Sequence, residues 1–215
     1  MMTAAQNETR PMTLIHGIAL NGIGTLRFSQ GENPSLVVNA EPEALPLIKT
    51  EVIDGVLTIN TKLMTTSAVS YKTGPVYTVT APTLTELRLG GAARAFVDNL
   101  NARRLEVELD GAGDIRLTSV TLESLRVEIS GAGNVTATGT CPELDVIING
   151  TGNFSGGDLQ GDTAQVRIPG AGRAKVNAGK KLIVEIGGLG MVSYLGNPEL
   201  DRNVGGLGKV SKATS

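Results

Sequence analysis

A Gly-x-Gly triplet returns six times in this chain, at 111–113, 131–133, 150–152, 170–172, 188–190 and 206–208, and a degenerate copy, Gly91-Ala92-Ala93, precedes them. From one start to the next the spacings are 20, 20, 19, 20, 18 and 18 residues. A near-constant interval of this length marks a chain of stacked supersecondary units, each too small to bury its own apolar face. The residues around the triplet say what the unit is. Two, four and six residues before the first glycine stand Leu109, Val107 and Leu105, then Ile129, Val127 and Leu125, then Ile148, Val146 and Leu144, with polar residues between them. Period two is a strand with one buried face. Beyond the corner it resumes, with Ile115, Val135, Phe154, Ala174, Val192 and Val210 four residues past the first glycine.

Each unit therefore reads as strand, Gly-x-Gly corner, strand and a variable return such as TSVTLES or GTCPE. Parallel stacking sets successive coils about 4.8 Å apart and puts equivalent residues in columns. Glycine at the corner permits backbone angles closed to other residues and allows neighbouring coils to approach closely. The expected fold is all-β, a parallel β-helix of 18–20 residues per coil in its C-terminal part. The right-handed sense is expected because parallel crossovers take it. Arg202 and Lys212 fall at positions that are apolar in earlier coils, so 200–215 reads as a polar C-terminal cap.

The N-terminal third is less regular. Residues 1–11 read as a disordered tail and 12–215 as one domain, with irregular coils over 12–84 and regular repeats over 85–199. Gly22-Ile23-Gly24, flanked by Ile18, Leu20, Leu26 and Phe28, fits the repeat register as an early coil. Asp54-Gly55 between EVI and VLTIN signals a hairpin. EPEALPLIK reads as a loop or one helical turn, and MTTSAVSYKTGP as a connecting loop.

The residues of this third carry a resemblance. NGIGTLRFSQGENPSLVVNAEPEALPLIKTEVIDGVLTIN, then VYTVTAPTLTELRLGGAA and the repeated LEVELDGAGDI and LRVEISGAGNV, resemble the bacterial head GIN domain family, the putative auto-transporter adhesins, over about residues 14–210. The resemblance implies a β-helical, export-linked bacterial domain, usually behind a signal peptide, with no catalytic residues.

Composition narrows the chemistry. One His, one Cys and no Trp among 215 residues exclude a Cys/His zinc site, a two-His metal site and an internal disulfide framework. A catalytic triad would have to use His16, and a Cys–His pair would need His16 with Cys141. His16 falls where an inward residue is expected, and Cys141, before Pro142, reads as an unpaired small residue of a return loop. A net charge of −2, with both signs dispersed along the chain, announces no nucleic-acid face. No apolar run is long enough to span a membrane. Met1–Met12 has no apolar core of a signal peptide, so the chain reads either as cytoplasmic or as a form whose signal has been removed.

Stacking places Glu108 over Glu128 and Glu86 over Glu106 on the outside, at the separation of a retaining glycosidase's two carboxyls. Arg88, Arg126 and Arg167 share those columns and neutralise them. Asp114, Asn134, Asn153 and Arg173 form a further column that satisfies local backbone or side-chain partners. GAGDIR and GGLGMV lack the third glycine and the helix of a phosphate loop. The Asn-x-Ser/Thr triplets at Asn7, Asn134, Asn149 and Asn153 receive no role. Ile147 and Ile183 point outward where polar residues are the rule, and a shared patch there would be a homo-oligomer contact.

The resulting expectation is a non-enzymatic cell-envelope or extracellular module, binding an unknown protein or glycan in the manner of an adhesin. It has no catalytic, metal or cofactor residues, no nucleic-acid partner and no membrane span. The alternative is a polysaccharide-active β-helix enzyme built on Glu108 and Glu128. Against it stands the shortage of sugar-stacking rings, with Tyr71, Tyr77 and Tyr194 the only tyrosines. An assembly or regulatory partner protein is a third reading.

Overall fold

The computed structural model describes residues 4–61 and 74–213. Its strands begin with β1 (Gln6–Arg10), β2 (Gly17–Gln30) and β3 (Ser35–Ala40). A 3-10 turn over Leu45–Leu47, with Pro46 in its first turn, answers to the helical turn expected in EPEALPLIK. β4 (Ile48–Ile53) and β5 (Val56–Thr61) follow as an antiparallel hairpin. Its two turn residues, Asp54 and Gly55, have φ of 49° and 75°, the left-handed pair that a two-residue hairpin of this twist requires. β6 (Val76–Ala81) and β7 (Glu86–Asp98) complete the irregular third. Most of MTTSAVSYKTGP lies outside the described residues.

The regular part is a parallel stack. It comprises β8 (Asn101–Leu109), β9 (Asp114–Ile129), β10 (Asn134–Thr140), β11 (Glu143–Ile148) and β12 (Asn153–Gly156). The two-residue β13 (Leu159–Gln160) comes next, then β14 (Thr163–Ile168), β15 (Ala171–Asn177), β16 (Lys181–Ile186), β17 (Leu189–Leu195), β18 (Glu199–Val204) and β19 (Leu207–Lys212). The strands before each Gly-x-Gly corner make one side, here called face A, and those after it make face B. Asn101, Thr121, Thr140 and Gln160 lie on a short third side. The chain is a β-solenoid.

The repeat register holds residue by residue. Leu105, Leu125, Leu144, Ala164, Leu182 and Leu200 stack in one inward column of face A. Ile115, Val135, Phe154, Ala174, Val192 and Val210 stack in one of face B. The interior is filled by aliphatic side chains at close to zero exposure, and Thr61 is the buried polar residue apart from Tyr77. Thr61 Oγ1 lies 2.8 Å from the Tyr77 hydroxyl, which donates to the Ile23 carbonyl at 3.3 Å.

The corner glycines are needed for close approach. A Cβ on Gly131 would fall against the carbonyls of Gly111 and Asp110 in the coil before, and one on Gly188 against those of Gly170 and Pro169. Among the corner positions only Gly22, Gly24 and Gly91 have φ in the left-handed range. Spacing between coils, more than backbone angle, fixes the repeat.

Order in space departs from order in sequence at the N-terminal end. β2 stacks directly on β7 with Gly22 on Gly91, as the early-coil register requires. On its other side β2 pairs in parallel with β5 and β6. The chain thus lays down β2, leaves to build a level below it, and returns above it at β7. β3 lies antiparallel to β6, and β1 antiparallel to β3. The segment read as a disordered tail is therefore a strand over Gln6–Arg10. It is held by its ladder with β3 and by Arg10 Nη2 donating to the Leu45 carbonyl at 3.1 Å.

At the other end Arg202 pairs with Val184 and Lys212 with Tyr194, so charged residues enter the inward columns as expected. Leu189, Met191 and Leu207 are exposed beside them, Leu207 at 80%.

Candidate functional site

Besides an edge column of Arg104, Ser124, Glu143, Thr163, Lys181 and Glu199, face A carries two outward columns. One runs Glu86, Glu106, Arg126, Asp145, Gln165, Ile183, Asp201, and the next Arg88, Glu108, Glu128, Ile147, Arg167, Glu185, Asn203. The pairings Glu86 with Glu106 and Glu108 with Glu128 are those expected from the sequence. Each acid of the second pair is engaged. Glu108 Oε2 lies 3.0 Å from Arg88 Nε, which also meets Glu86 at 2.8 Å. Glu128 lies 3.5 Å from Arg126 Nη2 and accepts from Asn149 Nδ2 at 2.9 Å. Arg126 also reaches Glu106 at 3.5 Å and Asp145 at 2.5 Å, and Arg167 closes on Asp145 at 3.0 Å. Acids and arginines interlock across five levels, from β7 to β14. Burial holds the Glu108 carboxyl above its ordinary value, opposed by Arg88 and reinforced by Glu106, Asp110 and Glu128.

A groove of about 520 Å³ crosses face A along the first of these columns, lined among others by His16, Glu86, Glu106, Arg126, Asp145 and Ile183. Glu108 and Glu128 do not line it. Of the two acid pairs, Glu108 and Glu128 therefore lie beside the concavity, while Glu86 and Glu106 line it.

His16 is exposed, contrary to the inward position expected of it. A bend at His16 puts Gly17 and Ile18 side by side in the buried set, and that breaks the alternation on which the expectation rested. Its backbone N–H donates to the Gly55 carbonyl at 2.8 Å, and its ring covers the α-carbon of Gly55. Cys141 is a buried free thiol whose Sγ–H donates to the Glu143 carbonyl at 3.0 Å; burial pushes its pKa up to about 11. Among the described residues no hydrogen bond or ion pair joins His16 to Cys141. Among the described residues no cluster of three or more His, Cys, Asp or Glu is arranged to hold a metal ion, and no helix is long and apolar enough to cross a membrane.

Ile147 and Ile183 are half-buried and stand in different columns two coils apart, so they form no shared patch. Of the tyrosines, Tyr77 is buried, Tyr194 occupies an inward column, and Tyr71 lies outside the described residues.

Face B corrects the view of charge as dispersed. Its outward positions carry Arg27, Arg94, Arg116, Arg173, Lys175 and Lys209 against Asp98 and Asp114. The two outward columns of face A hold Glu86, Glu106, Glu108, Glu128, Asp145, Glu185 and Asp201 against three arginines. Charges that alternate along the chain segregate once the corner turns them to different sides. Phe96, outward on face B, has the Arg27 guanidinium 5.3 Å and the Arg116 guanidinium 5.9 Å from its ring centroid. An Asn ladder follows, with Asn134 Nδ2 donating to Asp114 at 2.8 Å and Asn153 Nδ2 to Asn134 at 2.9 Å. The column is the expected one. The outward Phe96 went unread in the sequence, where position five past Gly91 in the register already marks it as the one aromatic in an otherwise polar column.

With this geometry in place, similarity to known proteins can be weighed. The family model described as putative auto-transporter adhesin, head GIN domain, matches residues 16–198. The chain belongs to that family. Among curated proteins none matches it. A crystal structure of a putative adhesin from Bacteroides fragilis shares its fold with a TM-score of 0.91 at 22% identity over 97% of each chain. A putative lipid binding protein from Parabacteroides distasonis gives 0.70 at 20% identity over 98% of this chain and 97% of the other. A putative adhesin from Parabacteroides merdae gives 0.68 at 17% over the same shares. At these identities the likeness is one of fold.

Proposed function

We propose that the chain is a non-enzymatic, adhesin-like binding module of the cell surface or extracellular space, a rigid solenoid that presents fixed columns of polar side chains to a partner. The observation that carries this reading is the engagement of the candidate acids. Glu108 is held by Arg88, and Glu128 by Arg126 and Asn149. A retaining mechanism needs one carboxyl free to donate a proton and another free to attack. Membership of an adhesin-named family supports the same reading.

One observation favours the polysaccharide-active alternative: the Glu108 carboxyl is raised towards the range of a general acid. A single experiment separates the two. The protein is incubated with a panel of polysaccharides and extracellular-matrix proteins, with retention and release of reducing ends measured together. Retention without turnover is expected. Turnover that Glu128→Gln abolishes would establish the enzyme instead.

A further inference from the structure

We infer that face B is a track for an acidic polysaccharide, lying along the solenoid axis and gripped at two cationic ends. This inference rests on the binding-module reading and names the ligand class for it.

The two sides treat their cations differently. On face A, Arg88, Arg126 and Arg167 of the two acid-bearing columns are all in ion pairs with carboxylates, and only Arg104 and Lys181 of the edge column are in none among the described residues. On face B, Arg94 pairs with Asp114 at 3.7 Å, while Arg27, Arg116, Arg173, Lys175 and Lys209 have no carboxylate within ion-pair distance among the described residues. Five unneutralised cations on one flat, exposed side make a positive field for a polyanion.

Their arrangement selects the polyanion. Arg27, Arg94 and Arg116 occupy three successive levels at the N-terminal end, and Arg173, Lys175 and Lys209 lie towards the other end. Phe96 stands between Arg27 and Arg116, stacking with both, and so fixes the two guanidinium forks about two rungs apart, ordered before a ligand arrives. The two levels in the middle carry Asn134, Thr136, Asn153 and Ser155, neutral donors and acceptors. Among the described residues the Thr136 and Ser155 hydroxyls have no hydrogen-bond partner. The pattern is charge, hydroxyl-binding rungs, charge, along about 34 Å of column from the first level to the eighth. A polymer of sugars that carries hydroxyls together with carboxylate or sulfate groups along its length matches it.

A nucleic acid fits less well. It needs exposed ring faces for base stacking, while Phe96 already stacks with Arg27 and Arg116. A lipid surface asks for apolar insertion along the side, and the large exposed apolar residues of the face B strands, Leu189, Met191 and Leu207, are confined to its two C-terminal levels.

The test uses polygalacturonate as the acidic polysaccharide, dextran as its neutral counterpart, and vesicles of phosphatidylglycerol in phosphatidylcholine. Polygalacturonate is expected to bind at low ionic strength and weaken as salt rises, and dextran not to bind. A triple variant Arg173→Glu, Lys175→Glu, Lys209→Glu is expected to lose about tenfold or more in affinity. The matched variant Arg103→Glu, Lys180→Glu, Lys181→Glu, off this face, keeps its affinity to within about twofold. Phe96→Ala weakens binding and Phe96→Tyr retains it, with the salt dependence as the readout that a structural role would not move. Absence of polygalacturonate binding, an unaffected triple variant, or binding to anionic vesicles alone overturns the inference. Retention of another ligand from the panel would leave the binding-module reading standing. Polygalacturonate bound on face B and also cleaved would sink that reading and keep the track.

Discussion

Arg126 Nη1 donates to Asp145 Oδ2 at 2.5 Å across one rung, joining residues of successive coils. Arg167 reaches the same carboxylate from the next coil, with both Asp145 oxygens at 3.0 Å from its Nη2. The acid thus ties three levels together from outside the core. Its side chain is 27% exposed and those of the arginines 41% and 36%, so solvent screens these pairs. Asp145→Asn is expected to destabilise by about 1 kcal/mol or less. The loss should shrink in molar salt. Urea unfolding at low and high salt checks both; a salt-independent cost would show that hydrogen bonding, not charge, ties the levels.

Glu108 makes a pH prediction whose sign is opposite to that of a typical paired acid. Its folded pKa is raised, with burial the leading cause. Between the unfolded and folded values the folded chain holds the proton more tightly, so stability falls as pH rises through that window. Glu108→Gln removes the ionisation. Relative to wild type the variant should therefore gain stability as pH rises above the ordinary carboxylate range, about pH 4. Urea titrations of both proteins at several pH values measure the slope. A relative loss with rising pH would mean that Arg88 outweighs burial.

The regular coils were legible because two demands coincide at each repeat: glycine where a Cβ would strike the previous coil, and aliphatic residues two, four and six places before it. The early coil at Gly22 was legible for the same reason. The level formed by β5 and β6 was not, because it stacks under β2 from much later in the chain and no period marks the jump. Nor was β1, whose five residues QNETR are all polar and show no apolar alternation. The contacts of Glu108 and Glu128 followed from register. The basic side did not, since counting charge along the chain mixes residues that the corner later sends to different faces.

Cys141 is buried, and its thiol titrates near pH 11. At neutral pH it carries almost no thiolate, and the reagent has no path to it. Native protein should resist labelling by a thiol reagent at pH 7 and label fully in denaturing urea. The native rate should follow the opening equilibrium as urea is raised. Fast native labelling would show a local opening of the return that holds Cys141, with the rest of the stack intact.

Gly131 and Gly205 test what sets the repeat. A Cβ on Gly131 meets backbone carbonyls of the previous coil, which cannot rotate away as a side chain could, whereas a Cβ on Gly205 meets nothing within 4 Å. Neither has φ in the left-handed range, so conformational strain is not the difference between them. Gly131→Ala is expected to lose about 3 kcal/mol or more, since either the coils separate or the ladder bends. Gly205→Ala should be neutral or gain a few tenths of about 1 kcal/mol from the reduced entropy of the unfolded chain. Denaturant midpoints of the two variants measure the contrast. Equal costs would mean that the glycines serve the corner's own geometry, and the spacing of coils would then need another cause.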